Sequence, residues 1–402
     1  MRRLLFAFLK TLKVLRQSWM KLTGISEQDI HERRVVTGKA WEDFCDRLKL
    51  AGASLMYPGT PRDSFNQAEG IRYLSRLTRA GLEAFVEYND PAFPVLRRMV
   101  HETVKMGADN PDNHYQNAQI SGKYEYRVTG KRNSVRYIGF FTQNGHYGTT
   151  GGLAPCGKLE GSDLRLKPDG SFEIILSKKP MGENWLRIDD DTSLFMVRQT
   201  FLDRETELAA EVRIANLDGR KAPDAFTAEA ADEGLKTAAM FVGGASLLFA
   251  RWAKGFQSHT NRLPRFDPGI SNQAGGDEAI IYYHSHWKLE PDEALLVRVK
   301  PPDCESWNFQ LNNYWMESLD YRFHHISVNK HSAHYEPDGS VKVLIAHRDP
   351  GFPNWLETCG HTEGTMCWRW YRLRAGGIPV EPSCALVKLN ELTEHEQNNP
   401  IL

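Results

Sequence analysis

The chain has almost no net charge, no CxxC pair and no apolar run long enough to span a bilayer. Fifty basic against fifty-one acidic side chains leave a formal charge of -1, so no long-range field steers it toward a polyanion, and nucleic acid is not an expected partner. Six cysteines, Cys45, Cys156, Cys304, Cys359, Cys367 and Cys384, are too scattered for a secreted disulfide scaffold. A reducing, cytoplasmic setting is expected, with these cysteines packed as small apolar groups. The longest apolar stretch, around Ala238 to Ala250, is short and glycine-broken, unlike a spanning helix. Gly-x-Ser-x-Gly, His-Glu-x-x-His and the Lys-Ser/Thr ending of a P-loop are also missing, so the common esterase, zinc-peptidase and phosphate-loop chemistries find no support.

What is present is ordinary globular composition over 402 residues, more than one core usually serves. Four regions are expected: a helical region at 1–110, a first β unit at 111–220, a helical and irregular connector at 221–278, and a second β unit at 279–402. Within Met1 to Gly24, the residues Leu4, Phe8, Leu12, Leu15 and Trp19 share one helical side, while Lys10 and Lys13 interrupt the run a signal peptide needs. This segment is expected to dock on protein, including a second copy in a homo-oligomer, in preference to peripheral membrane contact through residues 1–21. Thr37 reads as the cap of a helix burying Trp41, Phe44 and Leu48, and Ser64 with Gln67 as the capping box of the next. The alanine-rich stretch from Pro223 to Phe256 is expected to break at Gly243-Gly244.

The β-rich regions repeat each other. Lys167-Pro168-Asp169-Gly170-Ser171 leading into Phe172, Ile174 and Leu176 has a counterpart in Glu336-Pro337-Asp338-Gly339-Ser340 leading into Val341, Val343 and Ile345. Each is a tight turn followed by an alternating strand. Asn184-Trp185-Leu186 recurs as Asn354-Trp355-Leu356, Tyr124 to Thr129 parallels Leu295 to Lys300, and Ala210 to Ile214 parallels Ala385 to Leu389. Short strands at this spacing imply a mainly β fold with helical additions, an internal duplication of β-sandwich or jelly-roll units.

In the second unit, Tyr335 to Ser340, His347-Arg348-Asp349-Pro350-Gly351, Asn354-Trp355-Leu356 and Trp368-Arg369-Trp370-Tyr371 together resemble the bacterial proteins that carry domain of unknown function 1214 (DUF1214). That resemblance implies a β-sandwich and brings no activity with it.

The densest polar constellation is Tyr282-Tyr283-His284-Ser285-His286-Trp287, followed by Asn312-Asn313-Tyr314-Trp315, Glu317, Asp320 and His324-His325. On a strand His284 and His286 share a face, so with Glu290 and His325 they are candidate ligands of a divalent metal; no organic cofactor is implied. Without a metal, His286 and His325 are the candidate acid/base pair, with Glu317 or Asp320 orienting an imidazole. His284, Trp287, Trp307, Asn313, Tyr314 and Trp315 are the candidate grip on a small, partly aromatic or apolar organic ligand. Lyase and hydrolase chemistry both fit such a set. The alternative is a noncatalytic ligand-binding or assembly protein, in which most of these rings fill cores.

Overall fold

In a computed structural model, which describes residues 20, 22–148, 152–374 and 377–392, the chain combines helices with four four-stranded sheets. The amphipathic segment Met1 to Trp19 lies outside the described residues. Among the described residues, no helix is long and apolar enough to cross a membrane.

Ahead of the first strand lie α1 (Glu27–Val36), α2 (Lys39–Ala51) and α3 (Ser64–Leu82). Two expected caps move by one residue. Asp63, not Ser64, caps α3, its carboxylate accepting from Asn66 N at 2.9 Å; a charged acceptor suits the positive end of a helix better than a hydroxyl. Gly38, with φ 75°, precedes α2, while Thr37 closes α1 through its hydroxyl on Arg33 O at 2.8 Å. Trp41 stays exposed, whereas Phe44 is buried.

The long helix α4 (Ala228–Phe256) runs unbroken for 29 residues, and Gly243-Gly244 does not interrupt it. Close approach explains the glycines instead. A Cβ on Gly244 would lie 2.4 Å from Gly148 N, so only glycine lets the turn at Tyr147-Gly148 press against the helix. One face of α4, with Ala238, Phe241, Ala245 and Phe249, shares a core with Phe44, Leu77 and Phe85.

Eight strands precede α4: β1 (Asn113–Gln119), β2 (Tyr126–Lys131), β3 (Tyr137–Asn144), β4 (Ala154–Glu160), β5 (Ser171–Ser177), β6 (Trp185–Arg187), β7 (Thr192–Thr200) and β8 (Glu211–Asn216). Eight follow it: β9 (Ile280–Lys288), β10 (Glu293–Val299), β11 (Cys304–Asn312), β12 (Ser327–Asn329), β13 (Val341–Ala346), β14 (Trp355–Glu357), β15 (Glu363–Leu373) and β16 (Ser383–Lys388). The first set forms sheets ordered β1-β7-β3-β4 and β6-β5-β2-β8, the second β9-β15-β11-β12 and β14-β13-β10-β16. The two sets match strand for strand, including the parallel pairing of β5 with β6 and of β13 with β14.

Register refines the expected correspondences. Tyr126 pairs with Leu176 as Leu295 pairs with Ile345, so Tyr126 rather than Tyr124 answers to Leu295. Ile214 pairs with Val128 as Cys384 pairs with Val297, which shifts the last strand's match from Leu389 to Cys384. Loops of unequal length make spacing counted along the chain drift from spacing across the sheet.

The repeated Asn-Trp-Leu has the same structural work in both copies. Asn184 accepts from Arg165 N (2.8 Å) and donates to Arg165 O (3.0 Å) and Glu173 O (2.9 Å). Asn354 does the same with His334 N, His334 O and Lys342 O, all at 2.8 Å. The indole of Trp185 donates to Ser177 O at 3.1 Å and that of Trp355 to Ala346 O at 3.0 Å, and Leu186 and Leu356 are buried. Within each set both sheets feed one apolar cluster: Phe140, Phe195 and Val197 meet Val128 and Ile174, and Trp307, Trp368 and Trp370 meet Val297 and Val343.

Candidate functional site

Side chains alternate along a strand, so residues that skip the core must face something else. On β7, Phe195 and Val197 enter the first unit's core, leaving Met196 and Arg198 on the other face. On β15, Trp368 and Trp370 enter the second core, leaving Arg369 and Tyr371. These second faces look onto one shared cavity of about 170 Å³. Its apolar wall comes from Phe85, Met99 and Met106 and from Phe241, Phe249 and Trp252 of α4. Burial on both faces is why Leu194 to Val197 of β7 and Met366 to Trp368 of β15 are apolar without alternation.

The duplication places a matched pair in each half of the polar wall. Tyr115 stands opposite Arg198 in the β1–β7 register, as Tyr282 stands opposite Arg369 in the β9–β15 register. Each guanidinium lies over the ring of its partner, at 5.9 Å for Arg198 and 5.8 Å for Arg369. Their charge partners differ. Arg198 donates to Asp277 Oδ2 at 2.9 Å, and Lys158 reaches the same carboxylate at 2.9 Å. Burial alone would raise the Asp277 carboxyl, but Arg198 and Lys158 together hold it below the ordinary value. Arg369 meets neutral acceptors: Gln310 Oε1 at 2.7 Å, Asn308 Oδ1 at 3.3 Å and the Ala108 carbonyl.

His284 lies beside that pair on β9. Its ring stacks with Phe256 (5.4 Å, 2°) and Tyr282 (5.7 Å, 6°), with Phe266 edge-on at 5.1 Å. Burial, aided by the positive charge of Arg369, pushes its pKa down to about 3, so the imidazole is neutral at ordinary pH. Among the described residues, its Nδ1 is buried without a hydrogen-bond partner, as is Gln143 Oε1 across the cavity lining. A second cavity of about 240 Å³ shares Gln143, Met196, Arg198, Gly275 and Gly276 with the first.

His284 and His286 do share a face of β9, but the expected constellation does not converge. His286 binds Thr260 Oγ1 at 3.0 Å through Nδ1 and Glu363 Oε2 at 3.0 Å through Nε2, so both ring nitrogens are engaged away from the cavity lining. Glu317 is buried in a structural network, accepting from Arg76 at 2.7 Å and from Asn313 at 2.9 Å, with Asn313 also bonded to Glu69. Asp320 is clamped by Arg322, and His325 and Glu290 are exposed. Trp287 and Trp307 belong to the second unit's core, Tyr314 and Trp315 to the helical core. Of the expected ligand-contacting residues, His284 is the one that lines the cavity.

Metal-capable side chains gather elsewhere. Among the described residues, His324 with Glu357 and Cys359, and His31 with Asp232 and Glu233, lie close enough to hold an ion. In the second group Asp232 already binds His31 Nδ1 at 2.8 Å and Arg34 Nε at 2.8 Å, which pins α1 to α4.

Arg198, Arg369, Tyr115 and Tyr371 were not expected at the site. A signal for two of them exists: each arginine interrupts an apolar stretch of its strand, after Phe195-Met196-Val197 and within Cys367-Trp368-Arg369-Trp370.

The sequence profile of the family described as "Protein of unknown function (DUF1214)" matches residues 293–374. A solved structure of an uncharacterized protein from Burkholderia cenocepacia is 48% identical, covering 89% of this chain and 99% of its own, with a TM-score of 0.87. The chain belongs to the DUF1214 family. The DUF1214 segment supplies Arg369 and Tyr371 to the cavity, while Tyr282, His284 and the first unit's contribution lie outside it. The VPA0106 protein from Vibrio parahaemolyticus is 13% identical over 85% of this chain and 100% of its own, with a TM-score of 0.46, too distant to inform the site. No curated protein matches the chain.

Proposed function

We propose that the protein binds a small organic molecule, without transforming it, in the cavity between its two β units. The observation that carries this reading is a cavity walled by β1, β7, β9, β15 and α4 in which polar atoms, His284 Nδ1 and Gln143 Oε1, stand unpartnered among aromatic and aliphatic side chains. Unpaired buried polar atoms each cost about 1–3 kcal/mol, a cost that a bound molecule offsets. The acid/base reading draws less support, because His286, Glu317 and Asp320 have separate partners, His325 is exposed, and none of the four lines this cavity.

The architecture that suits this role is a pair of β-sandwiches, at 111–220 and 279–402, joined through 221–278 and buttressed by the helices of 1–110. A thermal-shift screen of small organic compounds tests the proposal. Hits should stabilise the wild type and fail to stabilise Met196→Trp, which fills the cavity from β7; hits that stabilise both proteins equally would refute it.

A further inference from the structure

We infer that the ligand is a monoanion, an organic carboxylate whose head sits at Arg369 and His284 while its apolar body lies against the aromatic wall of α4. This rests on the small-molecule-binding reading above. The duplication supplies an internal comparison. Two cross-strand Tyr–Arg pairs face the cavity, yet Arg198 is neutralised by Asp277 and Arg369 is not. Among the described residues, no ion pair includes Arg369, although its side chain is buried. A buried cation held only by neutral acceptors is costly, and an anion beside it recovers that cost.

The other charged residues of the lining, Asp109 and Arg198, each have partners. Both carboxylate oxygens of Asp109 are used by Ser318, accepting from its N at 2.9 Å and its Oγ at 2.8 Å. Burial raises the Asp109 carboxyl, and Lys105 is the largest charge opposing that rise. With Arg198 set against Asp277 and Asp109 bonded to Ser318, Arg369 is, among the described residues, the lining cation that touches no carboxylate, although it and Lys105 both act on Asp109 through space. One excess positive charge selects a singly charged head over a phosphate dianion.

The proton on His284 points the same way. Burial pushes the Cys367 thiol up to about 11, so it stays S–H, and its sulfur lies 3.8 Å from both His284 Nε2 and the Trp368 carbonyl. With the thiol proton given to Nε2, the ring's single proton sits on Nδ1, the nitrogen that has no partner, and a carboxylate bound there selects that tautomer. Tyr371 adds a third donor, because its oxygen already accepts from Asn110 Nδ2 at 2.5 Å and its own proton is left to give. Arg369, His284 and Tyr371 thus gather donors on one side of the cavity, the arrangement that recognises a carboxylate, with the acceptor Gln143 Oε1 on the lining away from that head.

Titration calorimetry on the wild-type protein with matched pairs tests the inference: straight-chain and phenylalkyl carboxylates of graded length against the amides of the same skeletons. The carboxylate of the best-fitting pair should bind roughly ten- to a hundred-fold tighter than its amide. Arg369→Gln, and independently His284→Phe, which keeps the ring stack and removes the donor, should reduce that preference. Amides binding as tightly as carboxylates would overturn the anion assignment and leave the cavity reading standing. A carboxylate preference that survives in both folded variants would overturn it too. No binding by either series would overturn both.

Discussion

Gly244 of α4 and Gly148 of the β3–β4 connection touch backbone to backbone: a Cβ on Gly244 would sit 2.4 Å from Gly148 N and 2.5 Å from Gly148 Cα. The contact fixes the turn that carries His146 and Tyr147 to the cavity lining, and Tyr147 then donates to Ala274 O at 2.6 Å. Gly244→Ala should cost about 1–3 kcal/mol by overpacking. Urea denaturation checks this; an unchanged midpoint would show that the turn does not rest on the helix.

Asn184 and Asn354 each hold three backbone groups that no strand partner satisfies. Replacing either by Ala strips those bonds at a buried position, at an expected cost of about 2–4 kcal/mol. Similar losses in the two variants are expected if the copies are equivalent. A loss at one site alone, in thermal or urea unfolding, would show that the motif has diverged.

How much of this was legible depends on the range of each signal. The Pro-Asp-Gly-Ser turn and the Asn-Trp-Leu element act within a few residues, so their recurrence exposed the duplication. Gly243-Gly244 misled because glycine that breaks a helix and glycine that admits a neighbour look alike until Gly148 is seen against it. Asp63 and Ser64 are adjacent capping residues, and sequence could not choose between them. The histidine-rich stretch was read as one site, yet strand alternation and loop partners sent His284 to the cavity, His286 to Glu363 and His325 to the surface. The cavity itself is assembled from segments hundreds of residues apart, such as Tyr115 and Arg369. Such a meeting leaves no local pattern.

His284 predicts a pH dependence of stability. Its folded pKa of about 3 lies below the ordinary 6.5, so between those values the unfolded chain takes up a proton the folded chain refuses. Stability therefore falls as pH drops through 6.5, by about 1.4 kcal/mol per pH unit from this group. Register makes Asn117 the first unit's equivalent of His284, since the two stand two residues beyond Tyr115 and Tyr282. His284→Asn should accordingly fold and lose about 2 kcal/mol less than wild type between pH 6.5 and 5. Parallel stability–pH curves for the two proteins would contradict the neutral, buried imidazole.

Arg76 and Glu317 form a buried ion pair across α3 and the hairpin after β11, at 2.7 Å. Arg76→Ala leaves the buried Glu317 carboxylate without its cation and with Asn313 as its remaining side-chain donor, and should cost about 3–5 kcal/mol in unfolding experiments. Little or no loss would return Glu317 to consideration as a free functional carboxylate.

The central claim is that the space between the two β units is a ligand site. A crystal structure of the protein soaked with the tightest carboxylate from the matched series tests it most directly. Density is expected between β7 and β15, with a ligand oxygen within hydrogen-bond distance of His284 Nδ1 and the Arg369 guanidinium. Density at another surface, with this cavity empty, would contradict it.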